Sequence, residues 1–156
     1  MRTDRPIRVT HVVLQLQMGG MEKLLVEFAR HTDRRRFDLN FISLESRGRL
    51  AEELEQAGWP VTALEQRPGL KPGLILRLAR QFRVHRADIV HTHNSKPLIY
   101  AGPAAWLART PVLIHSRHGQ RFQASRGAST LFRLASRLTT KVVSVSEDGA
   151  RLTAAE

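Results

Sequence analysis

The stretch Ile7-Arg8-Val9-Thr10-His11-Val12-Val13-Leu14-Gln15-Leu16-Gln17-Met18-Gly19-Gly20 decides the fold. Residues 7–17 are mostly apolar and rich in Val and Leu, the pattern of a strand buried on both faces of a parallel sheet, and the two glycines mark a tight turn at its end. Directly after them Leu24, Leu25, Phe28 and Ala29 recur at helical spacing, while Glu22, Lys23, Glu27 and Arg30 take the other faces. A buried strand that feeds a helix through a diglycine sets a pattern, and the rest of the chain repeats it.

Phe37 to Leu44 reads as the second strand, and Leu50, Leu54 and Ala57 mark a helix that stops at Gly58. Pro60 to Leu64 makes a short third strand. Pro68, Gly69, Pro72 and Gly73 form a loop before a helix carrying Leu74, Ile75, Leu78, Ala79 and Phe82. Asp88 to Thr92, Val112 to His115 and Val142 to Val145 follow as strands, interleaved with helices over Pro97 to Ala108 and Leu131 to Leu138. Alternation of this kind predicts an α/β, Rossmann-like parallel sheet with helices on both faces and right-handed crossovers. Residues 1–156 make one domain, and a last helix begun at Glu147 is still running at Glu156, which suggests truncation.

Composition narrows the function. With 42% hydrophobic and 25% charged residues the chain can bury a core and is not intrinsically disordered. The absence of cysteine excludes a disulfide framework and a cysteine zinc site, leaving a cytoplasmic location as the default. No run of about 18 apolar residues could span a bilayer. Lys and Arg total 25 against 14 Asp and Glu, a formal charge of +11, so the partner is anionic: a nucleic acid, a membrane surface or a phosphorylated small molecule. Nucleic acid is disfavoured, since no binding motif accompanies the charge and aromatics are only 6% of the chain.

Three polar clusters fall where strands end, which is where open parallel sheets bind ligands. At Met18-Gly19-Gly20-Met21-Glu22 the missing side chains let a backbone approach a phosphate at a helix N-terminus, although a bare tight turn has the same look. In Asp88-Ile89-Val90-His91-Thr92-His93-Asn94-Ser95 the two histidines share a strand face if the strand continues. Such a pair can bind zinc, form a structural hydrogen-bonded pair, or contact a ligand, and no further residue completes a metal set. Ile114-His115-Ser116-Arg117-His118-Gly119-Gln120 looks like a catalytic loop, in which histidine bonds hydroxyls or moves protons and arginine neutralises phosphate, although His118 and still more His115 equally suit loop histidines satisfied by backbone.

Together these clusters resemble the family-4 glycosyltransferases. The likeness rests on Gly19-Gly20-Met21-Glu22, the Asp88 to His93 strand end, His118-Gly119 after a strand, and Val143-Ser144-Val145-Ser146 before a final helix, in the family's order. Pro111 to Gly119 is also similar to a bacterial subgroup associated with exopolysaccharide and exosortase loci. The resemblance implies one half of a GT-B fold, on the acceptor side, in a hexosyltransferase that moves sugar from a nucleotide-sugar donor to a glycan or lipid-linked acceptor. It implies Gly19 and Gly20 near the donor diphosphate, His118 as the catalytic residue beside the transferred sugar, and His93, Asn94, Ser95, Arg117 and Gly119 as acceptor or sugar contacts. Ser146 falls on the interdomain side. The family's retaining transfer needs no metal or cofactor. Its C-terminal nucleotide-binding domain is absent here, so the isolated chain is expected to be inactive; the alternative is a noncatalytic anion-binding module or remnant.

Finally, Arg126, Arg133, Arg137 and Lys141 accompany Leu131, Phe132, Leu134 and Leu138, a combination suited to an anionic lipid surface. That would place the protein peripherally on the inner face of the plasma membrane. The same leucines and phenylalanine at helical spacing equally suit a core.

Overall fold

In the computed structural model, described for residues 5–66, 71–118 and 126–145, the alternation becomes six strands and five helices. They run β1 Ile7–Val13, α1 Gly20–His31, β2 Phe37–Ser43, α2 Leu50–Gln56, β3 Val61–Ala63, α3 Gly73–Val84, β4 Ile89–His93, α4 Ser95–Ala108, β5 Val112–Arg117, α5 Arg126–Ser136 and β6 Lys141–Ser144. All pair in parallel in the order β3-β2-β1-β4-β5-β6. After β3 the chain crosses back over β1 to build the other half of the sheet. The winding therefore reverses between β1 and β4, and the crevice beyond their carboxyl ends is where such folds take ligands.

Strand alternation sends side chains to two layers. Val9, Val13, Leu39 and Phe41 meet Leu25, Val26 and Ala29 of α1 and Leu50, Ala51 and Leu54 of α2. Val12, Ile42, Val90 and Leu113 meet α3, α4 and α5 through Leu78, Phe82, Leu98, Ala101, Phe132 and Ala135. Helix α4 lies between α3 and α5 and is apolar nearly all round, as its place requires. At Gly102 an added Cβ would stand 3.3 Å from the Ala135 methyl, so a larger residue would force α4 and α5 apart.

Among the boundaries that differ from the sequence reading, three bear on the site and the helical layers. β1 ends at Val13 rather than Gln17, because residues 14–16 leave the ladder to serve loops: the Leu14 and Leu16 carbonyls accept the N–H groups of Glu45 and Leu50. Gly48, at φ +70°, presses on the Leu16 backbone so closely that a Cβ there would overlap its carbonyl. Second, β5 runs on to Arg117, since His115, Ser116 and Arg117 are held by pairing with β4 and β6. Third, α5 begins at Arg126, five residues before the apolar stripe that betrays it. Gly58 stops α2 as expected: it sits at φ +78°, with Trp59 N–H returning to the Leu54 carbonyl.

Candidate active site

Register, not sequence proximity, assembles the site. His11 of β1 lies directly opposite His91 of β4, and His93, two residues on, points to the same side. Ser116 of β5 is level with His93, and His118 leaves the end of β5 on that same face. The His91 and His93 rings are 4.2 Å apart between centroids. His11 Nδ1 is 3.1 Å from His93 Nε2, and His93 Nδ1 is 3.2 Å from His118 Nε2, so three imidazoles form a hydrogen-bonded file from the core to the crevice. His91 Nε2 meets the Ser116 hydroxyl at 2.8 Å.

Burial sets the protonation of this file. His11 is stacked on Phe41 with the edge of its ring toward Phe28, and desolvation lowers its pKa to about 3, with help from His91. Burial also takes His91 to about 4 and holds His93 well below the ordinary imidazole value. His118 is half-buried, so burial lowers it too, and the carboxylate of Glu22 in the first turn of α1 works in the opposite direction. The four rings are thus neutral near pH 7, with His118 at the open end.

Gly19 is the N-cap of α1 and Gly20 its first residue, neither with positive φ. The flexible Glu22 side chain folds its carboxylate back over Gly19. Asn94 caps α4 from a left-handed φ of 66° and is exposed, with Ser95 opening the helix. Lys96 then reaches back 2.5 Å to Glu45 after β2, pinning this corner. Gln15, Glu45, Ser46, Arg47, Glu65 and Gln66 line an open cleft of about 470 Å³ beside it.

Several expectations change. Ser116 and Arg117 are strand, not loop. His115 faces the α5 layer, its Nδ1 3.0 Å from the Thr92 hydroxyl, and burial lowers its pKa to about 4. Arg117, buried at the end of β5, falls on that same face, opposite His118, so the two do not form one loop cluster. Asp88 stands at the far end of β4, where it accepts a bidentate Arg5 pair at 2.6 and 2.8 Å and the Arg8 N–H. Gly119 and Ser146 lie outside the described residues.

A third ligand atom does join the histidine pair. His11, His91 and His93 each offer a nitrogen, all within 4.8 Å of one another, a set that by spacing could hold a metal ion. Sequence reasoning missed His11 because it lies 82 residues before His93 and the register that unites them is not written locally. A titratable ring in the middle of a mostly apolar strand was the available signal.

The family model for Glycosyltransferase Family 4 matches residues 18–155. The chain belongs to glycosyltransferase family 4. Within known proteins it is 29% identical over 131 residues to the Escherichia coli UDP-Gal:alpha-D-GlcNAc-diphosphoundecaprenol alpha-1,3-galactosyltransferase, an alignment covering 81% of this chain and 34% of that enzyme. Among solved structures it resembles Anabaena Alr3699/HepE in complex with UDP, with a TM-score of 0.74 and 20% identity over 93% of this chain and 39% of that one. It also resembles the apo lipopolysaccharide outer core galactosyltransferase WaaB, with a TM-score of 0.72 and 12% identity over 96% and 42%. The chain thus has the Rossmann-like fold of a GT-B glycosyltransferase domain and spans about a third of the curated relative. No described helix is long and apolar enough to cross a membrane.

Proposed function

We propose that this family-4 chain is the acceptor-side domain of a hexosyltransferase that moves a sugar from a nucleotide-sugar donor to a glycan or lipid-linked acceptor. The observation that carries the reading is geometric: the α1 N-terminus follows β1 and His118 contacts His93 at the end of β4, so both border the crevice where the sheet's winding reverses. Gly19 and Gly20 then face the donor diphosphate, where unpaired N–H groups and the positive helix end favour an anion. His118 lies beside the transferred sugar, and His93, Asn94, Ser95 and the Glu45–Lys96 corner face the acceptor. A second domain supplies the nucleotide half of the cleft.

Two relatives whose names carry a uridine nucleotide make UDP-sugars the first donors to try, and the undecaprenol-linked acceptor of the Escherichia coli enzyme favours a polyprenol diphosphate sugar as acceptor. The transfer uses neither metal nor cofactor, so excess chelator leaves the rate unchanged. The deciding experiment measures transfer by the full-length protein and its His118→Ala variant. Turnover falls about 10²–10³-fold in the variant with little change in melting temperature. Unchanged turnover removes His118 from the site, and absence of transfer from any donor favours an anion-binding module.

A membrane-facing role for α5 has its own support. Arg133 of α5, Arg137 just after it and Lys141 at the start of β6 are exposed, and so are Leu131, Leu134 and Leu138. Phe132 and Ala135 turn instead into the core. Arg126 opens the helix. Basic and apolar side chains exposed together suit the cytoplasmic face of an anionic bilayer, each cation contributing about 1 kcal/mol. Liposome sedimentation reads this directly: the full-length protein pellets with anionic vesicles at low salt and is released at high salt. Equal, negligible binding to anionic and neutral vesicles would dismiss the role.

A further inference from the structure

The file His11–His93–His118 does more than fill space. A neutral imidazole carries one N–H and one lone pair, and His93 uses both nitrogens, Nε2 toward His11 and Nδ1 toward His118. With both hydrogen bonds made, the protons can be ordered in only two ways. In one, His11 Nδ1–H donates to His93 Nε2, and His93 Nδ1–H donates to His118 Nε2, which leaves the proton of His118 on Nδ1. In the other every proton is reversed, and that of His11 lies on Nε2.

The buried end of the file distinguishes these orders. His11 Nε2 is enclosed and has no hydrogen-bond partner among the described residues. Its ring is stacked 5.0 Å from Phe41 and set edge-on to Phe28. An N–H at that position would lose its hydrogen bond outright, and a buried unpaired donor is among the costlier defects a fold can carry. A bare lone pair against aromatic carbon is tolerated more readily.

We propose that His93 is a positioning residue, which with His11 behind it holds His118 as the Nδ1–H tautomer and so presents a hydrogen-bond donor to the ligand. This rests on the glycosyltransferase reading for the identity of the ligand, an oxygen of the transferred sugar or of the departing diphosphate. It gives His118 a definite role. Its Nε2 is occupied by His93, so it acts by donating a hydrogen bond to an oxygen that gains negative charge, not as a general base. No proton leaves the file during the reaction.

Two-bond ¹H–¹⁵N correlation spectra of the imidazoles, recorded on the full-length protein near neutral pH, read the tautomer without reference to activity. Wild type shows His118 protonated on Nδ1. His93→Asn keeps that state, because its amide N–H stands where His93 Nδ1–H stood, and His93→Leu loses it. In transfer assays His93→Leu lowers kcat by about tenfold or more with a smaller change in KM for the donor, and His93→Asn recovers much of the loss. A wild-type His118 protonated on Nε2, or a tautomer unchanged in His93→Leu, overturns the proposal. So does stoichiometric zinc in the purified protein, or added zinc that shifts His11, His91 and His93 together, since the trio is then a metal site. If His93→Leu does not fold, the wild-type spectrum alone decides. The expected tautomer in a protein that transfers no sugar would sink the glycosyltransferase reading and leave the file's proton order standing.

Discussion

His11, His91, His93 and His115 are folded uncharged, and this ties stability to pH. Burial leads in every case, taking His11 to about 3 and His91 and His115 to about 4, with His93 well below its usual value. In the unfolded chain each binds a proton near pH 6.5. The folded values are depressed, so the contribution is complete above pH 6.5 and is lost as the pH falls toward them, where the unfolded chain takes up protons the native one refuses. Each such ring adds a slope of up to about 1.4 kcal/mol per pH unit, and urea midpoints should therefore drop steeply between about pH 6 and 5. A flat profile there would mean that the rings are solvated. At another single position, Gly48→Ala should lower stability by about 2 kcal/mol or more, because a left-handed φ and an overlap with the Leu16 carbonyl act together. Chemical denaturation checks it, and an unchanged midpoint would mean that the loop has room.

Among the elements, α5 is the one whose orientation tests most cheaply. Phe132 is in the core and Leu134 is 52% exposed, so Phe132→Ala should cost about 3–5 kcal/mol and Leu134→Ala no more than about 0.5 kcal/mol. Comparable losses in the two variants would mean that the helix is rolled from the described position. The same helix shows what a sequence can convey. Its leucines and Phe132 announce a helix by spacing, but which of them are covered depends on where α4 lies, and spacing is silent on that. Strand and helix order was readable throughout, since runs such as Ile7 to Val13 and stripes such as Leu74, Leu78 and Phe82 carry their own period. Ends were harder. Ser116-Arg117 looks like loop because its residues are polar, yet pairing of Ser116 with both β4 and β6 and of Arg117 with β6 keeps them in β5. Within the site, the shared face of His91 and His93 follows from strand geometry, whereas the partnership with His11 needs β1 beside β4, a long-range fact absent from any local window.

At the scale of the molecule, a one-domain cleft should be a poor catalyst. Residues 1–156 produced alone are expected to bind anions in a salt-sensitive way, given a net charge of +11, but to show no useful turnover with a panel of nucleotide sugars. Robust donor-dependent transfer by that piece would show that a second domain is not required. The two helical layers also hold the chain's two tryptophans in opposite circumstances. Trp59 is sealed between α1 and α2, its indole N–H on the Ala29 carbonyl at 2.9 Å and the Arg34 guanidinium 3.8 Å above its ring, while Trp106 on α4 is 72% exposed. Intrinsic fluorescence is therefore a one-sided gauge. The red shift on denaturation should come from Trp59 and vanish in Trp59→Phe, with Trp106→Phe leaving its profile in place. Set against far-ultraviolet circular dichroism, which averages all the helices, it would reveal whether the α1–α2 layer melts together with the other three helices or ahead of them.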